Sequence, residues 1–157
     1  SKLFEGVISN AIQILGLVPH ESDQKKNAIV LSADRKSTLH AKAVSCALGS
    51  MGWQVWELGD MSDAIDVMYD LDLQKFLTRV WRQKQGIMAV IIVSGTEEGT
   101  KFFSEAVNSV RPKFGKNMHL AVYSRGAKKP SAKAEIITDD FEGAINWAES
   151  VSQSALG

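Results

Sequence analysis

Residues Ile87 to Val93 (IMAVIIV) form an unbroken run of seven apolar side chains, the longest in the chain. A membrane span needs about 18 such residues, so this run is too short to cross a bilayer. A strand with one wet face would alternate apolar and polar residues. A strand apolar throughout is one covered on both faces, as at the centre of a parallel sheet with helices above and below.

The neighbouring sequence supplies the rest of such a sheet. Ala28 to Ala33 (AIVLSA) and Trp53 to Leu58 (WQVWEL) read as two earlier strands, Met118 to Tyr123 as a fourth, and Ala134 to Thr138 as a short fifth. Helical stretches lie between them. One is capped by Ser37 or Thr38, runs to about Met51 and stops near Gly52. Gly59 and Asp60 make a turn, and Ser62 opens a helical stretch through Gln85, interrupted near Asp70 to Asp72. Ser94 to Gly99 (SGTEEG) reads as a loop, followed by a helix from Thr100 to Val110 closed by Arg111 and Pro112. The basic loop RGAKKPSAK precedes the fifth strand. Asp139 or Asp140 then caps a last helix, Phe141 to about Val151. Before the first strand, Lys2 to Leu17 carries apolar residues at Leu3, Phe4, Val7, Ile8, Ala11, Ile12 and Leu15, a helical spacing that ends at Gly16. His20 to Asn27 is a polar linker.

Strands alternating with helices imply right-handed crossovers and a parallel sheet. The expected fold is therefore α/β: a flavodoxin-like three-layer sandwich with a five-stranded parallel sheet of order 2-1-3-4-5 and an extra N-terminal helix. Residues 1–26 form that helix and its linker, and residues 27–157 the domain. A ligand would sit at the carboxyl ends of strands one, three and four, where the loops are Asp34 to Thr38, Ser94 to Gly99 and Ser124 to Pro130.

Composition narrows the function classes. The 157 residues are 45% apolar and 23% charged, ordinary for one globular domain. Eighteen basic residues balance eighteen acidic ones, which argues against a dedicated nucleic-acid binder. Cys46 is alone, so the chain has no internal disulfide and no multi-cysteine zinc site, and a reducing, cytoplasmic setting is expected. The first residue is Ser rather than Met, no signal peptide is evident, and the chain reads as a piece cut from a longer protein. No membrane association is expected.

The chemistries usual for this sheet leave few traces. A phospho-receiver needs an Asp at the end of strand three, where this chain has Ser94. A flavin phosphate loop needs glycine after strand one, where ADRKSTLH offers only Ser37 and Thr38, with Arg35 and Lys36 as extra charge. GTEEGTK has three residues between its glycines and a Thr before its Lys, and so misses the phosphate-loop pattern. His20, His40 and His119 share no metal-ligand spacing. His119 is expected to be a strand residue satisfied by its neighbours, and Cys46 a small core residue. No G-x-S-x-G elbow accompanies Ser94-Gly95. Trp81 and Trp147 are expected to pack in the core, and Trp53 to be exposed on an outer strand as the mark of a partner surface.

From Asn27 to about Val151 the chain resembles the cobalamin-binding domain of corrinoid mutases and methyltransferases. The resemblance rests on NAIVLSADRKSTLHAKAVSCALGSMGWQVWELG followed by AVIIVSGTEEGTKFFSEAVNSV, and within them on Gly52-Trp53-Gln54-Val55, Leu58-Gly59 and Val93-Ser94-Gly95. The family signature is D-x-H-x-x-G, whose His coordinates cobalt. Alignment on Gly52 puts Arg35 at the Asp position, Ser37 at the His position and His40 at the Gly position. The family's glycine-rich loop after strand four is matched in part by Ser124-Arg125-Gly126. The resemblance implies the scaffold, while the three departures argue against the usual imidazole-ligated cobalamin.

The preferred expectation is a non-catalytic regulatory or protein-interaction domain with no cofactor, serving a protein partner or the adjacent domains of a larger protein; a homodimer is compatible with it. One alternative is a sensor that holds haem or a base-on corrinoid in the cleft above strands one and three, with His40 as axial ligand. Another is an enzyme acting on a small anion through Ser37, Ser94 and Arg125. The candidate cofactor-binding residues are Ser37, His40, Ser94, Gly95, Thr96, Arg125 and Gly126.

Overall fold

A computed structural model describes residues 26–61, 75–79, 86–114, 116–125 and 133–156. The expected helix Lys2 to Leu17, most of Ser62 to Gln85 with Trp81, and Gly126 lie outside the described residues. The elements are β1 (Lys26–Ser32), α1 (Thr38–Ser50), β2 (Gln54–Asp60), β3 (Ile87–Ser94), α2 (Glu97–Val110), β4 (Met118–Ser124), β5 (Ile136–Thr138) and α3 (Phe141–Leu156). Residues 75–79 are also helical. The sheet is five-stranded in the order β2-β1-β3-β4-β5, with every pairing parallel. This is the expected flavodoxin-like α/β sandwich.

The apolar run is the central strand, and all eight residues of β3 are buried. Its side chains divide between two cores because successive residues of a strand face opposite ways. Met88, Val90 and Ile92 join Ile29, Leu31, Leu120, Val122, Phe103 and Val107 under α2, and Phe76 and Leu77 pack into the same cluster. Ala89, Ile91 and Val93 join Ala28, Val30, Ala121, Val44, Leu48, Ala144 and Ala148 under α1 and α3. Ala28 pairs with Ala89 across the sheet, and Ala121 pairs with Ile91. Ala28, Ala89 and Ala121 thus put short side chains beneath α1 and α3. Asp140 begins α3: its Oδ1 accepts from the Glu142 backbone N–H at 3.3 Å, and its carbonyl accepts from the Ala144 N–H.

Several local expectations are corrected. Cys46 is exposed rather than in the core. It lies on the outer face of α1, opposite buried Ala41, Val44 and Leu48, because five residues from Ala41 carry a helix halfway round its axis. Trp53 is buried (3% exposed), not exposed on an outer strand. Its Nε1 donates to Glu149 Oε1 at 3.3 Å, and the Lys26 ammonium lies 5.4 Å from its ring centre. Lys26 also pairs with Glu149 and donates to the Met51 carbonyl at 2.9 Å. The helix expected to begin at Thr100 starts three residues earlier, at Glu97. Thr96 is its cap, accepting from the Gly99 N–H at 3.1 Å, and Glu97 and Glu98 suit the positive end of the helix dipole. The last helix runs past Val151 to Leu156, and β5 is shorter than expected, starting at Ile136.

Trp147 is buried as expected. His119 has its neighbour as well: Nδ1 lies 3.0 Å from both Glu135 carboxylate oxygens. Glu135 also accepts from Arg111 at 3.2 Å and from the Leu120 N–H at 3.1 Å, which ties the approach to β5 onto β4.

Candidate functional site

The carboxyl ends of β1, β3 and β4 meet at one edge of the sheet, and three chain segments leave from it. The first is the turn after β1. Asp34 has extended backbone angles, Arg35–Ser37 form a short 3-10 turn, and α1 follows. Neither Ser37 nor Thr38 caps α1 through its side chain, contrary to expectation. The Thr38 hydroxyl donates back to the Arg35 carbonyl at 2.9 Å. The Ser37 hydroxyl, fully buried, turns inward and donates to Asp34 Oδ1 at 2.9 Å.

The second segment is Ser94-Gly95-Thr96. The Gly95 N–H donates to Asp34 Oδ2 at 2.7 Å, so the carboxylate of Asp34 spans from the β1 turn to the end of β3. The Ser94 hydroxyl donates to the Thr96 carbonyl at 2.8 Å and accepts from the Thr96 N–H at 3.1 Å. It therefore holds its own turn and stays out of the Asp34 cluster. The third segment leaves β4. Arg125 is fixed by its backbone N–H on the Ser94 carbonyl at 2.8 Å. Its Nε donates to the Ser37 hydroxyl at 3.0 Å, and its Nη2 lies 3.6 Å from Asp34 Oδ1. A Cβ placed on Gly95 would come within 2.8 Å of Arg125 Nη2, so the guanidinium lies directly against the backbone at the end of β3.

Asp34, Ser37, Gly95 and Arg125 thus form one closed set. The carboxylate is the acceptor for an N–H and a hydroxyl and the counter-ion of a guanidinium. An anion at this edge of the sheet would need those same donors, and the chain supplies the anion itself as Asp34. Asp34 is the member that sequence reasoning missed; its place as the first residue after Ala33 at the end of β1 was the available signal.

His40 lies in the first turn of α1 and faces β4. Its Nδ1 is 3.4 Å from the Tyr123 hydroxyl, and the two rings meet edge to face with centres 5.8 Å apart. Burial, and then the Asp140 carboxylate, hold the Tyr123 phenol above its ordinary value, so it remains a neutral hydroxyl. This contact spans from α1 to the end of β4 on the face shared with α3. Of the candidate residues, the fold brings Ser37, Gly95 and Arg125 into mutual contact. It places His40 beside Tyr123, and it gives Ser94 and Thr96 to the start of α2.

The start of α2 is packed tightly enough to measure. A Cβ on Gly99 would stand 2.8 Å from the Ala33 Cβ and 2.9 Å from Thr96 Oγ1. Gly99→Ala is expected to lower stability by about 1–2 kcal/mol through overpacking, read as a lower midpoint in urea with an unchanged slope. A midpoint at or above that of the unsubstituted chain would show that the loop after β1 yields at no cost.

A solved structure of the Methanosarcina barkeri monomethylamine corrinoid protein is similar to this chain, with a TM-score of 0.59 and 14% sequence identity. The match covers 91% of this chain and 66% of that one, so the chain spans just under two thirds of the corrinoid protein's length. At this identity the likeness establishes the fold, which is cobalamin-binding-like and flavodoxin-like. No protein-family profile and no curated protein sequence matches the chain. Among the described residues no helix is long and apolar enough to cross a membrane.

Proposed function

We propose that this chain is a non-catalytic regulatory or protein-interaction domain, built on a cobalamin-binding-like scaffold that no longer holds cobalt through a protein imidazole. One observation carries the proposal. Ser37, which takes the place of the cobalt-ligating His in the family alignment, is fully buried with its hydroxyl committed to Asp34 and Arg125. A hydroxyl so engaged is a poor ligand for cobalt, for which imidazole nitrogen is much better suited. The residues present therefore do not fit a corrinoid held from below by this loop. The Arg125 guanidinium and the His40–Tyr123 contact support the same view, because each puts protein side chains across the edge where a bound ring and its tail would enter. The partner is a protein or an adjacent domain of a longer chain in the cytoplasm. Fold alone does not decide function, so the weight of the proposal rests on this cluster.

A second reading has one observation in its favour, the likeness in fold to a protein described as a corrinoid protein. In it, haem or a base-on corrinoid would lie above β1 and β3 with His40 as the protein ligand. The two separate by absorbance. Purified protein is titrated with hydroxocobalamin and, separately, with haem. The expected result is spectra equal to those of the free cofactors, unchanged by His40→Ala. Stoichiometric binding with a shifted Soret or corrin band that His40→Ala abolishes would overturn the proposal and establish the sensor.

A further inference from the structure

Two donors and a cation, brought from three chain segments, converge on one carboxylate. Asp34 Oδ2 accepts from the Gly95 N–H at 2.7 Å. Oδ1 accepts from the Ser37 hydroxyl at 2.9 Å and lies 3.6 Å from Arg125 Nη2. Each of the three groups is also held by contacts that leave the Asp34 carboxylate out. The Arg125 backbone N–H donates to the Ser94 carbonyl, and its Nε donates to the Ser37 hydroxyl at 3.0 Å. Ser37 is fully buried at the head of α1. Gly95 is clasped between Ser94 and Thr96, whose turn the Ser94 hydroxyl closes. Groups arranged in advance around an anion make a receptor for it, because little ordering remains to oppose binding.

The present occupant is held less firmly than its surroundings. The turn that carries Asp34 is made by main chain: the Ala33 N–H donates to the Val93 carbonyl at 2.9 Å, and the Asp34 carbonyl accepts from the Ser37 N–H at 3.2 Å. The Asp34 side chain can therefore turn away while its extended backbone stays in place. Its 3.6 Å separation from the guanidinium is too long for a hydrogen bond. Arg125 Nη1 and Nη2 make no hydrogen bond among the described residues, and a guanidinium fork with its end free matches the two oxygens of a carboxylate. The Arg125 and Asp34 side chains are 22% and 19% exposed, an opening that suits a small molecule and not a folded surface.

We propose that the carboxyl edge of the sheet is a binding site for a small carboxylate, with Asp34 as its tethered, displaceable ligand. A free carboxylate takes the Gly95 N–H, the Ser37 hydroxyl and the Arg125 fork when the Asp34 side chain swings out. Asp34 sets the affinity by competition, since a tethered group acts at a high effective concentration. The inference concerns these donors alone and is independent of whether the domain serves a protein partner or binds a cofactor.

Asp34→Ala removes the carboxylate and keeps the Cβ, so formate matches the group that is lost. The Gly95 amide resonance of the full chain is followed by NMR while sodium formate replaces sodium chloride at constant ionic strength. The expected result is saturable binding to Asp34→Ala about 100-fold tighter than to the unsubstituted chain. Asp34→Asn, which keeps the side-chain shape without the charge, is expected to gain about tenfold and gives the same comparison if Asp34→Ala does not fold. Adding Arg125→Lys, which keeps the charge and loses the fork, is expected to weaken formate binding about tenfold. Equal affinity with and without the Asp34 carboxylate, or no saturation in any of these chains, overturns the proposal. Binding that Arg125→Lys leaves unchanged would mean an adventitious ion only, and overturns it as well.

Discussion

Trp53→Ala is expected to lower the stability of the domain by about 3–5 kcal/mol, the usual cost of truncating a large buried aromatic. The indole fills the core beneath α1 and α3 at 3% exposure. It is also the hub of a clip at the amino ends of the strands, where Nε1 donates to Glu149 of α3 and the ring lies under the ammonium of Lys26. Its loss leaves a cavity and frees Glu149, so α3 loses both a packing surface and an anchor. Trp53→Phe separates the two contributions, because it keeps most of the ring and removes the donor. About 1 kcal/mol of the total is expected to follow the hydrogen bond to the carboxylate. Urea unfolding followed by far-ultraviolet circular dichroism measures both variants. A cost below about 1 kcal/mol for Trp53→Ala would place the indole in a site that collapses freely, and would revive an exposed, partner-facing role for it.

Glu57→Gln is expected to stabilise the chain at neutral pH, against the common rule that substitutions destabilise. Glu57 is 7% exposed on β2, and its Oε1 has no hydrogen-bond partner among the described residues. Burial pushes its carboxyl above the ordinary value of 4.5, and Lys42 pulls it back in part. The folded state therefore holds this proton more tightly than the unfolded chain does. Stability from this group is full below pH 4.5 and falls as pH rises from there through the raised folded value. Above that window the folded chain carries a buried carboxylate with one oxygen unbonded among the described residues, a penalty of about 1–3 kcal/mol that a neutral amide of the same shape avoids. The gain from Glu57→Gln should accordingly be present at neutral to mildly alkaline pH and vanish below pH 4.5. Paired urea titrations across that range test it. A gain that does not change with pH, or a loss at neutral pH, would mean that the charged carboxylate is held by a partner and is not merely buried.

The sheet was legible because its signal is one-dimensional. A run such as Ile87 to Val93 must be covered on both faces, and alternation of strand with helix leaves few topologies. Order, direction and the central place of β3 follow from that. Boundaries were less legible. The residues before Thr100 in the helix that starts at Glu97 read as loop because its first turn, EEGT, has no apolar periodicity; the side chain of Thr96 and the helix dipole define that end.

The candidate site was legible as a set of loops and not as a set of contacts. Ser37, Gly95 and Arg125 are legible as neighbours because the topology delivers their loops to one edge of the sheet. Asp34 was passed over as a binding residue, since nothing local says that its carboxylate would bond to a backbone 61 residues away. Trp53 and Cys46 were misplaced for a related reason. Trp53 owes its burial to the apolar cluster it shares with α1 and α3, the latter about 90 residues on, and Cys46 owes its exposure to the side of α1 that the sheet occupies. Which segments form the sheet is written locally in the chain, because strand and helix periodicity and continuous apolarity are properties of neighbouring residues. What the polar side chains at its carboxyl edge do depends on the packed fold, because a carboxylate, a hydroxyl and a guanidinium acquire a role from partners that distant segments bring to within about 3 Å.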